Sequence, residues 1–156
     1  MEGGAREHEY ATILTMSLDV YIQPHPGPPW GGPGSELVCS IEANYRGANE
    51  GYFWYLYQSM FKDIAEQTGQ RISLYDLVTF RGDTLATLEQ ALATARLQVS
   101  SEPDAWEVVI GTRIPQLPGE VRQTVDKQQM MTLLDKLEGA VCKAKETDAY
   151  LTFFGD

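Results

Sequence analysis

Hydrophobic and polar residues alternate from Ala11 to Ile22. Leu14, Met16, Leu18, Val20 and Ile22 fall on one side, Thr15, Ser17, Asp19 and Tyr21 on the other. A period of two over that length predicts a strand with one buried and one wet face. Pro24-His25-Pro26-Gly27-Pro28-Pro29-Trp30-Gly31-Gly32-Pro33-Gly34 ends it. Proline removes ladder donors and glycine breaks regularity, so 24–35 reads as a long, stiff loop. Alternation resumes over Glu36–Ala43, with Leu37, Cys39 and Ile41 opposite Glu36, Ser40 and Glu42. These two segments read as paired strands.

The period then changes. From about Asn49 to Gln67, Phe53, Leu56, Met60 and Ile64 recur within one helical stripe, with Tyr57 beside them and Gly69 placed as a stop. Ile72–Phe80 is a shorter apolar segment. Asp83 suits the N-cap of a second helix, whose stripe is Leu85, Leu88, Leu92, Ala95 and Val99 and which ends near Ser100. Trp106, Val108, Ile110 and Ile114 alternate with Glu107 and Arg113, marking a strand. A turn at Pro115-Gln116-Leu117-Pro118-Gly119 lets Glu120–Val125 return as its partner. The third helix has the clearest start in the chain: Asp126 as cap, Gln129 three residues on, and Val125 set to staple onto Met130. Its stripe is Met130, Leu133, Leu134, Leu137, Val141 and Ala144, with Lys143 and Lys145 favouring the dipole at its end. Tyr150–Phe154 suits a short terminal strand. The order is therefore β-β-α-α-β-β-α(-β). That predicts a single α+β domain over 1–156, an antiparallel sheet packed by about three helices, with 1–9 as a flexible N-terminus.

Composition narrows the class. The chain has 156 residues, 43% hydrophobic and 22% charged, with twelve basic against twenty-two acidic side chains and a net charge of −10. That size supports one buried core. The charge argues against a nucleic-acid partner, because phosphates must be neutralised by Lys and Arg. No apolar run approaches the ~20 residues that span a bilayer. Met1-Glu2-Gly3-Gly4 lacks the basic start and apolar stretch of a secretory signal. The expectation is a cytoplasmic protein with no membrane partner.

Catalytic motifs are missing. His8 and His25 are the only histidines, and Cys39 and Cys142 lie far apart in the sequence, so neither a zinc site nor any other metal or cofactor is expected. The chain has no Gly-x-Ser-x-Gly elbow, phosphate loop or dinucleotide fingerprint. Cys39 with His25 would make a thiol–imidazole pair only if a third group oriented the ring. The carboxylates, including Glu102, Asp104 and Glu107, are spread among polar neighbours and read as solvated surface.

Two features rise above this background. Tyr52-Phe53-Trp54-Tyr55, followed by Tyr57 and Phe61, carries more aromatic rings than one helical stripe can bury. Either the helix is packed on two sides, with Trp54 under a loop, or some rings face a partner, since Tyr and Trp are common interface anchors. The second feature is Trp30 in the Pro/Gly loop, which is either a connector or a recognition element.

A resemblance then enters, carried by Trp106-Glu107-Val108-Val109-Ile110-Gly111, by Val125-Asp126-Lys127 opening the Leu133-Leu134-x-x-Leu137 helix, and by Tyr150-Leu151-Thr152-Phe153-Phe154-Gly155-Asp156. In this pattern of elements the chain resembles small bacterial immunity proteins, which bind and block a cognate toxin. The resemblance implies a small, acidic, cytosolic protein that occludes a basic toxin domain and needs no cofactor. The expected contact residues, chosen on residue type and placement, are Glu50, Tyr52, Trp54 and Tyr55, with Trp30 as a second site. The alternative is a small enzyme or ligand-binding domain with some of Asp104, Glu107, His25 and Arg113 turned inward between sheet and helices. A third reading is a homodimer whose aromatic surface is its own interface.

Overall fold

A computed structural model describes residues 15–44, 50–111 and 121–155. The expectations for the N-terminus, His8, Arg113, Ile114 and the 115–119 turn lie outside the described residues. Strands β1 (Thr15–Gln23) and β2 (Glu36–Asn44) are joined by the proline-rich loop, which includes a 3₁₀ turn at Pro29–Gly31. A long helix, α1, runs over 50–68 in three parts: α-helical Glu50–Leu56, a π turn at Tyr57–Phe61, and α-helical Lys62–Thr68. Then come β3 (Leu77–Phe80), α2 (Asp83–Ser100), β4 (Ala105–Gly111), β5 (Val121–Asp126), α3 (Lys127–Glu146) and β6 (Tyr150–Gly155). The α+β class, the antiparallel sheet and the three helices are as the periodicities predict.

The strands form two sheets. One has four strands in the order β2-β1-β6-β3, all neighbours antiparallel, and the other is the separate β4-β5 ribbon. The segment 72–80, apolar but unassigned by pattern, supplies β3. Leu18, Val20, Ile22, Cys39, Ile41, Val78, Phe80, Leu151 and Phe153 share the inner face of the larger sheet and join the stripes of all three helices in one core.

The first half of α1 packs against β2 of the larger sheet and against both ribbon strands. A helix wedged between two sheets must be apolar on two sides, which accounts for its density of rings. Gly51 permits the approach to β5: a Cβ there would meet Val125 Cγ2 at 3.1 Å and Gln123 Cβ at 3.3 Å. In the π turn the Lys62 N–H donates to the Tyr57 carbonyl five residues back. The extra residue turns the consecutive Met60 and Phe61 into the core together.

Helix starts differ in one respect from expectation. Gly82, with φ of 60°, occupies the N-cap of α2, and Asp83 is its first helical residue, where its charge still favours the dipole. Asp126 caps α3 as expected, accepting from the Gln129 N–H at 2.9 Å. Arg96 ties α2 to α3 through Glu138 at 2.8 Å and Asp135 at 2.5 Å.

Candidate aromatic interface

Tyr52 is not a surface anchor. It is only 8% exposed, because its position on α1 points at the start of α3. Its hydroxyl accepts from the Asp126 N–H at 3.0 Å and donates to Gln129 Oε1 at 2.8 Å. Gln129 therefore bonds Tyr52 rather than reaching back to complete a capping box. The expectation of Tyr52 as a partner contact fails at this point: its ring and hydroxyl are spent inside the protein.

Trp54 and Tyr55 remain half-buried on the sides of the stripe. The Trp54 ring meets Phe53 edge-on at 5.1 Å and Tyr57 at 5.6 Å. Opposite them runs the loop that follows α1. Gly69, at φ 75°, stops the helix and sends its N–H to the Ala65 carbonyl at 2.9 Å. Buried Ile72 and Leu74 anchor the returning chain. Ser73 Oγ accepts from the Tyr75 N–H at 3.2 Å and donates to Asp76 Oδ2 at 2.6 Å, fixing a tight turn. Between helix and turn lies an open groove of 190 Å³, walled by Phe53, Trp54, Tyr57, Leu74 and Tyr75, with Ser73 and Arg71 at its polar side. Arg71 Nε is 3.7 Å from Asp76, and Tyr75 is 79% exposed. Tyr75 was not legible as a site residue, because nothing in the pattern of 72–80 says that a turn precedes the strand.

Tyr55 faces the other way, its ring 5.1 Å from that of Trp106 on β4. Burial first, and the Glu102 carboxylate second, raise its phenol above the ordinary value. Glu50 opens α1 on the same end of the helix.

Trp30 is 72% exposed, and its ring stands edge-on to Phe154 of β6 at 5.1 Å and 84°. A polar staple holds the loop that carries it. Gln23 Nε2 donates to the Gly27 carbonyl at 2.7 Å, and Ser35 Oγ lies 2.8 Å from the Pro29 carbonyl, 3.0 Å from Gln23 Oε1 and 3.2 Å from His25 Nε2. His25 Nδ1 sits 3.1 Å from the Pro26 carbonyl. This outlines a serine–imidazole pair, but the hydroxyl proton already faces two oxygen acceptors, the Pro29 carbonyl and Gln23 Oε1, so Ser35 acts as a loop tie.

The other candidates for chemistry lie apart. Burial, against a smaller opposing effect of Lys136, pushes the Cys39 thiol up to about 11, and Cys142 is exposed and raised by its hydrogen bond to Glu146. A thiolate is the reactive form, so neither environment activates a nucleophile. Asp104 and Glu107 are exposed, Glu107 lying 3.5 Å from Arg122, and neither joins His25. Among the described residues no group of three or more His, Cys, Asp or Glu is placed to hold a metal ion, and no helix is long and apolar enough to cross a membrane. In comparison with known proteins, no family model, no curated protein and no solved structure matches this chain.

Proposed function

We propose that this chain is a non-catalytic protein-binding domain, an immunity-type protein that binds and neutralises a cognate bacterial toxin in the cytoplasm. The observation that carries this reading is the aromatic groove between α1 and the 69–76 turn. Its walls are large rings with small conformational freedom, held by buried Phe53 and Leu74 beneath them. Preorganised aromatic clefts take an apolar anchor from a partner, and a few such anchors dominate interface energies. Tyr55 with Trp106 adds a second aromatic contact on the far side of α1. Glu50 starts the same helix. The net charge of −10 favours a basic partner and speeds encounter with it.

Affinity capture from bacterial lysate with wild-type protein and with a Trp54→Ala/Tyr55→Ala variant tests the proposal. The expected result is a basic protein held by wild type and lost from the variant, which arrests bacterial growth when expressed alone and not when wild type is co-expressed. Capture indifferent to both alanines, or a captured protein without toxicity, contradicts it.

A further inference from the structure

We propose that Trp30, Phe154 and Asp19 form a seat for an arginine side chain presented by a basic protein partner. The inference rests on the protein-binding reading above and specifies the chemistry of its second surface. The helices cover one face of the four-stranded sheet. On the other face the register sets Asp19 of β1 directly opposite Phe154 of β6, and Leu77 of β3 opposite Phe154 on its far side. The β1–β2 loop folds back over this face, bringing Trp30 against Phe154. Trp30 is thus held by perpendicular contact with one ring and by a loop tied at Gln23 and Ser35, while most of its surface stays in water.

Asp19 supplies the charge. Its Oδ1 accepts from Ser40 Oγ at 2.6 Å on the neighbouring strand, which orients the carboxylate. Phe154 thus has the exposed Trp30 against its ring and the oriented Asp19 carboxylate at the partner position on β1. A guanidinium suits such a pairing, because it stacks on aromatic rings and donates from its edge in the same plane. An ammonium, being compact and strongly hydrated, uses only the charge well. Charge also decides against a second copy of this chain. A two-fold contact over this face would bring two molecules of net charge −10 together with Asp19 near its own symmetry mate.

The test is an NMR titration of the full chain at physiological ionic strength with a tetra-arginine peptide amide, using tetra-citrulline as the uncharged isostere. The expected result is saturable movement of the Trp30 indole N–H and of the Asp19, Ser40 and Phe154 amides with the arginine peptide only. Trp30→Ala and Asp19→Asn should each weaken binding about five-fold, the loss of ~1 kcal/mol that an exposed stacked cation contributes. Glu66→Gln, which removes one exposed charge from α1, should leave it unchanged. Movement spread over the acidic surface, equal weakening by Glu66→Gln, or an unmoved Trp30 resonance overturns the seat. None of those results touches the groove at Trp54, which capture with the Trp54→Ala/Tyr55→Ala variant reads separately.

Discussion

Gly155 lies against the backbone of Leu74. A Cβ at Gly155 would fall 2.5 Å from the carbonyl oxygens of both Leu74 and Ser73, and the Gly155 N–H donates to the Asp76 carbonyl at 2.9 Å. The end of β6 therefore clamps the turn that forms one wall of the aromatic groove. Since the preceding residue, Phe154, carries Trp30, the two candidate contact surfaces meet at the end of this strand.

Replacing this glycine tests the clamp. Gly155→Ala forces backbone apart, since no flexible side chain is there to yield. The expected cost is about 1–3 kcal/mol, as for other overpacked sites, read as a lower urea midpoint with an unchanged slope. Faster amide exchange over 73–76 should accompany it. An unchanged midpoint would show that the turn does not rest on Gly155.

Tyr52→Phe separates a structural tyrosine from a binding one. Losing the hydroxyl leaves the Asp126 N–H and Gln129 side chain without their partner at the start of α3. A destabilisation of about 1–2 kcal/mol follows, measured by chemical denaturation. Partner affinity at a temperature where both proteins are folded should not change.

The residues show why the fold was more legible than the site. Strand β1 and the stripes of α2 and α3 each follow one period against one buried face, so the pattern alone places Val20, Leu92 or Leu134 in the core. In β2 the expectation that Leu37 shares a face with Cys39 and Ile41 fails, because the pairing with β1 shifts register between Val20 and Tyr21 and leaves Leu37 exposed. In α1 that logic breaks down. A helix packed between two sheets has no single polar face, so Tyr52 reads as a margin residue when it is buried, and further along the π turn shifts the stripe. Tyr75 lines the groove with Trp54 only because a turn fixed by Ser73 and Asp76 brings it there, a tertiary fact with no local period. Likewise, the alternation of 105–111 and 121–126 marks two strands but not that they form a ribbon apart from the larger sheet.

The two cysteines predict a pH effect and a labelling order. Burial raises the Cys39 thiol from 9.0 to about 11. Its folded form holds the proton longer than the unfolded chain does. Stability is therefore unaffected by this group below pH 9 and falls as pH rises from 9 to about 11. Cys39→Ala should flatten that part of the stability curve, checked by urea melts across the alkaline range. At neutral pH a thiol reagent should modify exposed Cys142 in the native protein and reach Cys39 only on unfolding.

For binding, Trp54→Ala should cost at least ~2 kcal/mol of partner affinity if the groove receives an anchor. Tyr55→Ala should have a comparable effect through the loss of its packing on Trp106. Calorimetric titration of the captured partner checks both. Losses below about five-fold for the pair together would remove α1 from the interface.

Light scattering on the purified protein over a wide concentration range tests most directly whether the aromatic surface awaits a foreign partner. The expected result is the mass of a monomer at every concentration, leaving Trp54, Tyr57 and Tyr75 available to another protein. A stable dimer that Tyr55→Ala or Trp54→Ala dissociates would contradict it, because the aromatic surface would then be the protein's own interface.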